Sequence, residues 1–160
     1  MLHTTITEVV EGLPIESIAL NELPKADYYA LGHVHINFEK DLDGKKAVYG
    51  GPTFPNNFKE FETVKWGSFY IVEINGYIKV TKKEINLKEP ILVEVEIKNA
   101  IQGTEKIINE LQKRDLKDKI VLLKVFGEIE EGKTSDINFK EIQTMIEKAG
   151  AYSFLKNTAQ

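Results

Sequence analysis

"YYALGHVH", residues 28–35, is the stretch on which the reading of this chain turns. Tyr28, Tyr29, Ala30 and Leu31 have the aromatic and apolar character of a buried strand, and Gly32 breaks it. The residues that follow deliver two histidines, His33 and His35, to one place. His3 is the only other histidine in the sequence, so all three fall within the first 35 residues. If the segment stays extended, residues i and i+2 point to the same side and both imidazoles face a common point. If Gly32 ends the strand, both sit on the loop at its carboxyl end, where the backbone is free to place ligands. Against this stands the plainer alternative of an exposed His-x-His pair and an incidental His3.

Outward from this stretch, the pattern is mostly β up to about residue 88. Residues 1–26 read as loop with short elements, punctuated by Pro14 and Pro24. "FEKDLDGKKAVY" (38–49) predicts a hairpin with Asp43-Gly44 at its turn, and "GGPTFPNNF" (50–58) a loop. "SFYIVEI" (68–74) and "YIKVTKKEI" (77–85) flank Asn75-Gly76, the preferred dipeptide of a two-residue type I′ turn. Beyond Pro90 the grammar becomes β-α-β-α-β. Strands are predicted over 91–97, 119–129 and 151–155. A helix over 104–116 starts behind a Thr104 cap. A second helix opens on Asn138 and Glu141 in capping-box spacing and stops at Gly150.

Four blocks carry a resemblance: "LH" at 2–3, "NELPKADYYALGHVH" at 21–35, "AVYGGPT" at 47–53 and "GSFYIVEI" at 67–74. In this order and spacing the chain resembles the calcineurin-like metallophosphoesterase superfamily, and within it the archaeal double-strand-break repair nuclease that corresponds to bacterial SbcD. The resemblance implies an α+β fold: the C-terminal portion of a metallophosphoesterase β-sandwich over 1–88, then a small β-α-β-α-β capping domain over 89–160. It implies a hydrolase that cleaves DNA phosphodiesters with two manganese or similar divalent ions. His3 matches that family's isolated histidine ligand. His33 and His35 match its Gly-His-x-His block, with His33 on the same metal as His3 and His35 on the other. Implied partners are DNA and an SbcC-like coiled-coil ABC-type ATPase.

The family's earlier blocks, Asp-x-His, Gly-Asp-x-x-Asp and Gly-Asn-His-Asp or -Glu, do not occur in these 160 residues. They would hold the bridging aspartate, the asparagine ligand and the histidine that protonates the leaving group. The expectation is therefore an incomplete active site in this chain alone, with one metal or none. Three neutral imidazoles do nothing to offset the repulsion of two close cations. Imidazole-only sites favour zinc, nickel or copper, whereas manganese prefers oxygen. Asp27, Glu39 and Asp41 are the nearby carboxylates. Asp27 lies six residues before His33, ~20 Å along an extended strand, and the other two read as solvated hairpin charges.

Three alternatives stay open: another phosphoesterase of the superfamily, a non-catalytic module that positions DNA or a partner, and an unrelated α+β domain with accidental histidines. Small phosphodiesterases of the superfamily have a proline soon after the histidine block, where Ile36 and Asn37 stand here. Phe54, Phe58, Phe61 and Trp66 are candidates for stacking on bases, and Lys45, Lys46, Lys79, Lys82 and Lys83 for phosphate contacts. The plainer readings are loop aromatics packed over the sheet edge and lysines protecting exposed strands. Composition adds limits. Net charge is −4 and Arg114 is the only arginine, a poor footprint for unaided nucleic-acid binding. The absence of cysteine excludes disulfides and thiolate metal sites and fits a cytoplasmic protein. No run approaches the ~18 apolar residues of a membrane span. Strands 27–85 are expected to leave an apolar face open to self-association.

Overall fold

The computed structural model describes residues 1–10, 13–42 and 45–158. The fold is α+β, as expected, and the chain divides into two compact units. One comprises Met1–Asn56 and Thr63–Asn86, the other Asn57–Glu62 and Leu87–Gln160.

The first unit holds a four-stranded sheet in the order β1-β2-β4-β3, built from β1 (Leu2–His3), β2 (Tyr28–Gly32), β3 (Asn37–Leu42) and β4 (Lys45–Gly50). β1, β2 and β4 run parallel, and β3 is antiparallel to β4. The hairpin predicted over 38–49 is the β3–β4 pair; its Asp43-Gly44 turn lies outside the described residues. Alternate residues share one face: Tyr29 and Leu31 of β2 and Ala47 and Tyr49 of β4 join Ile6, Leu20 and Leu23 in one core, and Val48, on the other face of β4, is buried as well. β5 (Gly67–Ile74) and β6 (Ile78–Ile85) form a second, two-stranded sheet. Its turn differs from expectation. Ile74 pairs with Ile78, so three residues connect the strands, and Gly76 alone has positive φ, at 71°. A type I′ turn needs positive φ at both central residues. Asn75 does not adopt it, so the loop is one residue longer and glycine carries the reversal.

The second unit has a parallel sheet in the order β7-β8-β9, from β7 (Pro90–Glu96), β8 (Ile120–Phe126) and β9 (Ser153–Thr158). The crossovers are α2 (Gly103–Gln112) and α3 (Phe139–Lys148). Val121, Leu123 and Val125 of β8 pack in one core with Ile107 and Leu111 of α2 and Ile142 and Ile146 of α3. α3 is capped as read: the Asn138 side chain accepts from the Glu141 N–H at 3.1 Å. Its other end closes with Gly150 at φ +79° and an N–H of Ala151 donating to Ile146 O. Thr104 does not cap α2. That helix begins one residue earlier, and Thr104 Oγ1 instead accepts from the Asn138 N–H at 2.8 Å, tying the starts of the two helices together.

The alternate residues of β8, Ile120 and Leu122, form a separate cluster with Phe61, flanked by Phe58, Leu92 and Leu155. Phe58 and Phe61 are therefore not loop aromatics. They lie on a short helix, α1 (Phe58–Val64), whose first turn is closed by Asn57 and Glu60 hydrogen bonding in both directions. The i, i+3 spacing puts both rings on one face, and that face covers the second side of the parallel sheet. Truncation of Phe61 to alanine is expected to cost the second unit about 3–5 kcal/mol, read as lost hydrogen-exchange protection across β8. Unchanged protection of β8 would show that Phe61 is not a core residue there. Among the described residues no helix is long and apolar enough to cross a membrane.

Candidate metal centre

Residues 2–7 are held from several sides, and this is what places His3. Leu2 pairs with Leu31 and His3 with Gly32 in parallel register. The Thr4 N–H donates to Gly32 O at 3.2 Å, and Tyr49 Oη donates to Thr4 O at 2.6 Å. Ile6, fully buried, bridges to Ile18, where Ile18 N donates to Thr5 O and Thr7 N to Ile18 O, each at 3.0 Å. Two residues of strand therefore sit rigidly despite their shortness.

β2 ends at Gly32, and His33 has φ +99°. That is an uncommon backbone state for a residue with a Cβ, and such positions cost about 1–3 kcal/mol. The turn carries the His33 imidazole onto His3: Nδ1 of His33 lies 3.2 Å from Nε2 of His3, with ring centroids 4.9 Å apart and planes at 72°. Both histidines are exposed. A hydrogen bond between exposed groups contributes at most about 1 kcal/mol, too little to hold the strained backbone by itself. The scaffold imposes the pairing; the rings do not create it.

The two nitrogens suit a single cation. Nitrogens bound to one ion at ~2.0–2.1 Å stand about 2.8–3.4 Å apart when they occupy neighbouring octahedral or tetrahedral positions, and the observed separation is 3.2 Å. A cavity of about 330 Å³ opens beside the pair, lined also by Thr4, Thr5, Glu16, Ser17 and Ile18. His35 does not complete the site. Among the described residues no group of three or more His, Cys, Asp or Glu side chains is placed to hold a metal ion. The residues present thus fit two positions on one ion and do not by themselves fit a two-ion centre.

Several of the lysine candidates have carboxylate partners of their own. Lys46 bridges Asp41 at 3.2 Å and Glu39 at 3.4 Å, and its pKa is raised above the ordinary lysine value, first by the hydrogen bond to Asp41 and further by Glu39. Lys79 pairs with Glu73 and Lys82 with Glu84. Trp66 is half-buried with Lys65 Nζ 5.4 Å from its ring. Sequence reasoning missed the turn state of His33 and the side-chain contacts of Asn37. The first had a visible signal, since a histidine after a strand-ending glycine has left regular structure.

No family model matches the chain. The sequence is 30% identical over 138 residues to the DNA double-strand break repair protein Mre11 of Archaeoglobus fulgidus, covering 78% of this chain and 30% of that protein. It is 31% identical over 115 residues to the protein of the same name from Methanocaldococcus jannaschii, covering 68% of this chain and 29% of the relative. The chain thus spans under a third of the length of these curated relatives. The resemblance read from the histidine blocks holds over most of its length: these residues are similar in sequence to a part of the archaeal Mre11 proteins.

Proposed function

We propose that this chain supplies the His3–His33 ligand pair, and with His35 the Gly-His-x-His block, of a metal-dependent nuclease acting on DNA double-strand breaks. The observation that carries the reading is the 3.2 Å approach of His33 Nδ1 to His3 Nε2, at a strained residue, in the two blocks that the resemblance assigns to metal ligation. Similarity to two archaeal Mre11 proteins supports the DNA-repair setting. A divalent ion bound there would supply Lewis-acid stabilisation of a phosphoryl group. The chain's own part is to hold two imidazoles at coordinating separation on a fixed parallel-strand pair. His35 is assigned to a second ion, whose remaining ligands come from the family blocks that do not occur in this sequence. The second unit is assigned the role of the capping domain, with DNA and an SbcC-like ATPase as partners of the complete assembly.

Calorimetric titration with zinc, the ion best matched to imidazole, tests the ligand pair. One ion per chain is expected, with binding lost in His3→Ala and in His33→Ala. Equal binding by the wild type and both variants would refute the assignment.

A further inference from the structure

The loop that carries His33 and His35 rejoins regular structure at Asn37, the first residue of β3. Asn37 stands opposite Gly50, the last residue of β4. Its side-chain amide donates to Gly50 O at 2.8 Å and to Ser68 Oγ at 2.7 Å. Ser68 is 2% exposed, its Oγ donates to the same Gly50 carbonyl at 3.0 Å, and its N–H donates to Pro52 O at 3.0 Å. The three groups satisfy one another: both amide hydrogens and the hydroxyl hydrogen have acceptors. The chain is also shaped around the amide. Gly51 sits at φ +69°, and a Cβ there would collide with the Asn37 side chain.

We propose that Asn37 is a positioning residue for His33. By fastening the exit of the histidine loop to Gly50 and Ser68, it holds the backbone that turns the His33 imidazole onto His3. Only residues 33–36 separate the end of β2 from the start of β3. The upstream end is fixed by pairing of β2 with both β1 and β4. A backbone at φ +99° persists only when both ends over-determine it, and the Asn37 latch secures the downstream end. Without it, His33 relaxes to negative φ and its ring swings away from His3. Loss of the latch leaves the buried Ser68 hydroxyl without one of its partners, which disturbs geometry more than area burial suggests.

The inference deepens the ligand-pair reading and rests on it only in its zinc arm. The test compares Asn37→Ala with Val48→Ala, a buried residue of the same hairpin that makes none of the latch contacts. In metal-free protein the nuclear Overhauser contact between the His3 and His33 rings is expected to vanish in Asn37→Ala and survive in Val48→Ala. Zinc affinity is expected to fall on the order of tenfold or more in Asn37→Ala, as for residues that orient metal ligands, with Val48→Ala close to wild type. A ring–ring contact retained at full strength in Asn37→Ala, or lost equally in both variants, overturns the proposal. If the wild type binds no zinc, the ligand reading falls while the metal-free contact still decides the latch. Asn37→Asp replaces the alanine variant should that one fail to fold. It is close to asparagine in shape but can donate neither to Gly50 O nor to Ser68 Oγ, and so is expected to lose the ring contact too.

Discussion

His33→Gly is expected to make the protein more stable and to abolish its metal binding. The two effects have separate causes at one residue. Glycine populates positive φ without a Cβ penalty, so the substitution removes the strain that a histidine suffers at φ +99°. Against that stands the larger unfolded-state entropy of glycine, leaving a net gain of about 1 kcal/mol. Loss of the imidazole removes one of the two nitrogens placed for the same ion. Affinity for zinc is expected to drop by more than about 100-fold, beyond the 10–100-fold cost usual for groups that merely support a ligand. His33→Ala separates the causes, because alanine keeps the Cβ and the strain but loses the ligand. It is expected to lack metal binding without any gain in stability. Denaturant unfolding of the three proteins, monitored by exchange protection in β2, checks this. If His33→Gly is less stable than His33→Ala, the backbone at this position carries no strain worth relieving.

The second large effect concerns catalysis. A two-metal phosphodiesterase holds its cations ~3.5–4 Å apart and clamps the attacking and leaving oxygens between them. Two cations so close need anionic ligands between them. The described residues offer two exposed imidazoles in contact, neither of them an anionic ligand, and no larger His, Cys, Asp or Glu group placed for a metal. Glu39 and Asp41 are drawn to Lys46. Removing one preorganised electrostatic contribution typically costs ~10²-fold or more in rate, and groups that act as a unit are not replaced by those that remain. Purified alone, the chain is therefore expected to show no manganese-dependent cleavage of end-labelled DNA above background. Robust cleavage that His33→Ala abolishes would show that these 160 residues carry a complete site.

Much of this was legible because the signals were local. Asn138, Glu141 and Gly150 gave both ends of α3, since capping chemistry acts within one turn. The alternation in "SFYIVEI" gave β5, and the Pro90 boundary gave the β-α-β-α-β run. What was missed depended on distant partners or on one residue of register. Phe58 and Phe61 looked like loop aromatics because prolines and glycines precede them, and nothing nearby announces the face of β8 that they cover. Thr104 has the chemistry of a cap but is engaged by the start of another helix. Asn75-Gly76 predicted a two-residue turn, and the Ile74–Ile78 pairing made it three. The histidine pair was legible only through the resemblance. A two-residue strand and a loop thirty positions later meet through parallel pairing, which no periodicity within either segment encodes.

Side-chain nitrogen–proton correlation spectra during zinc titration decide whether His3 and His33 are two ligands of one ion. The His3 and His33 imidazole signals are expected to move together and saturate at one ion per chain, through Nε2 of His3 and Nδ1 of His33. Saturation of the two rings at different zinc concentrations, or a shift confined to His35, would contradict a shared ion.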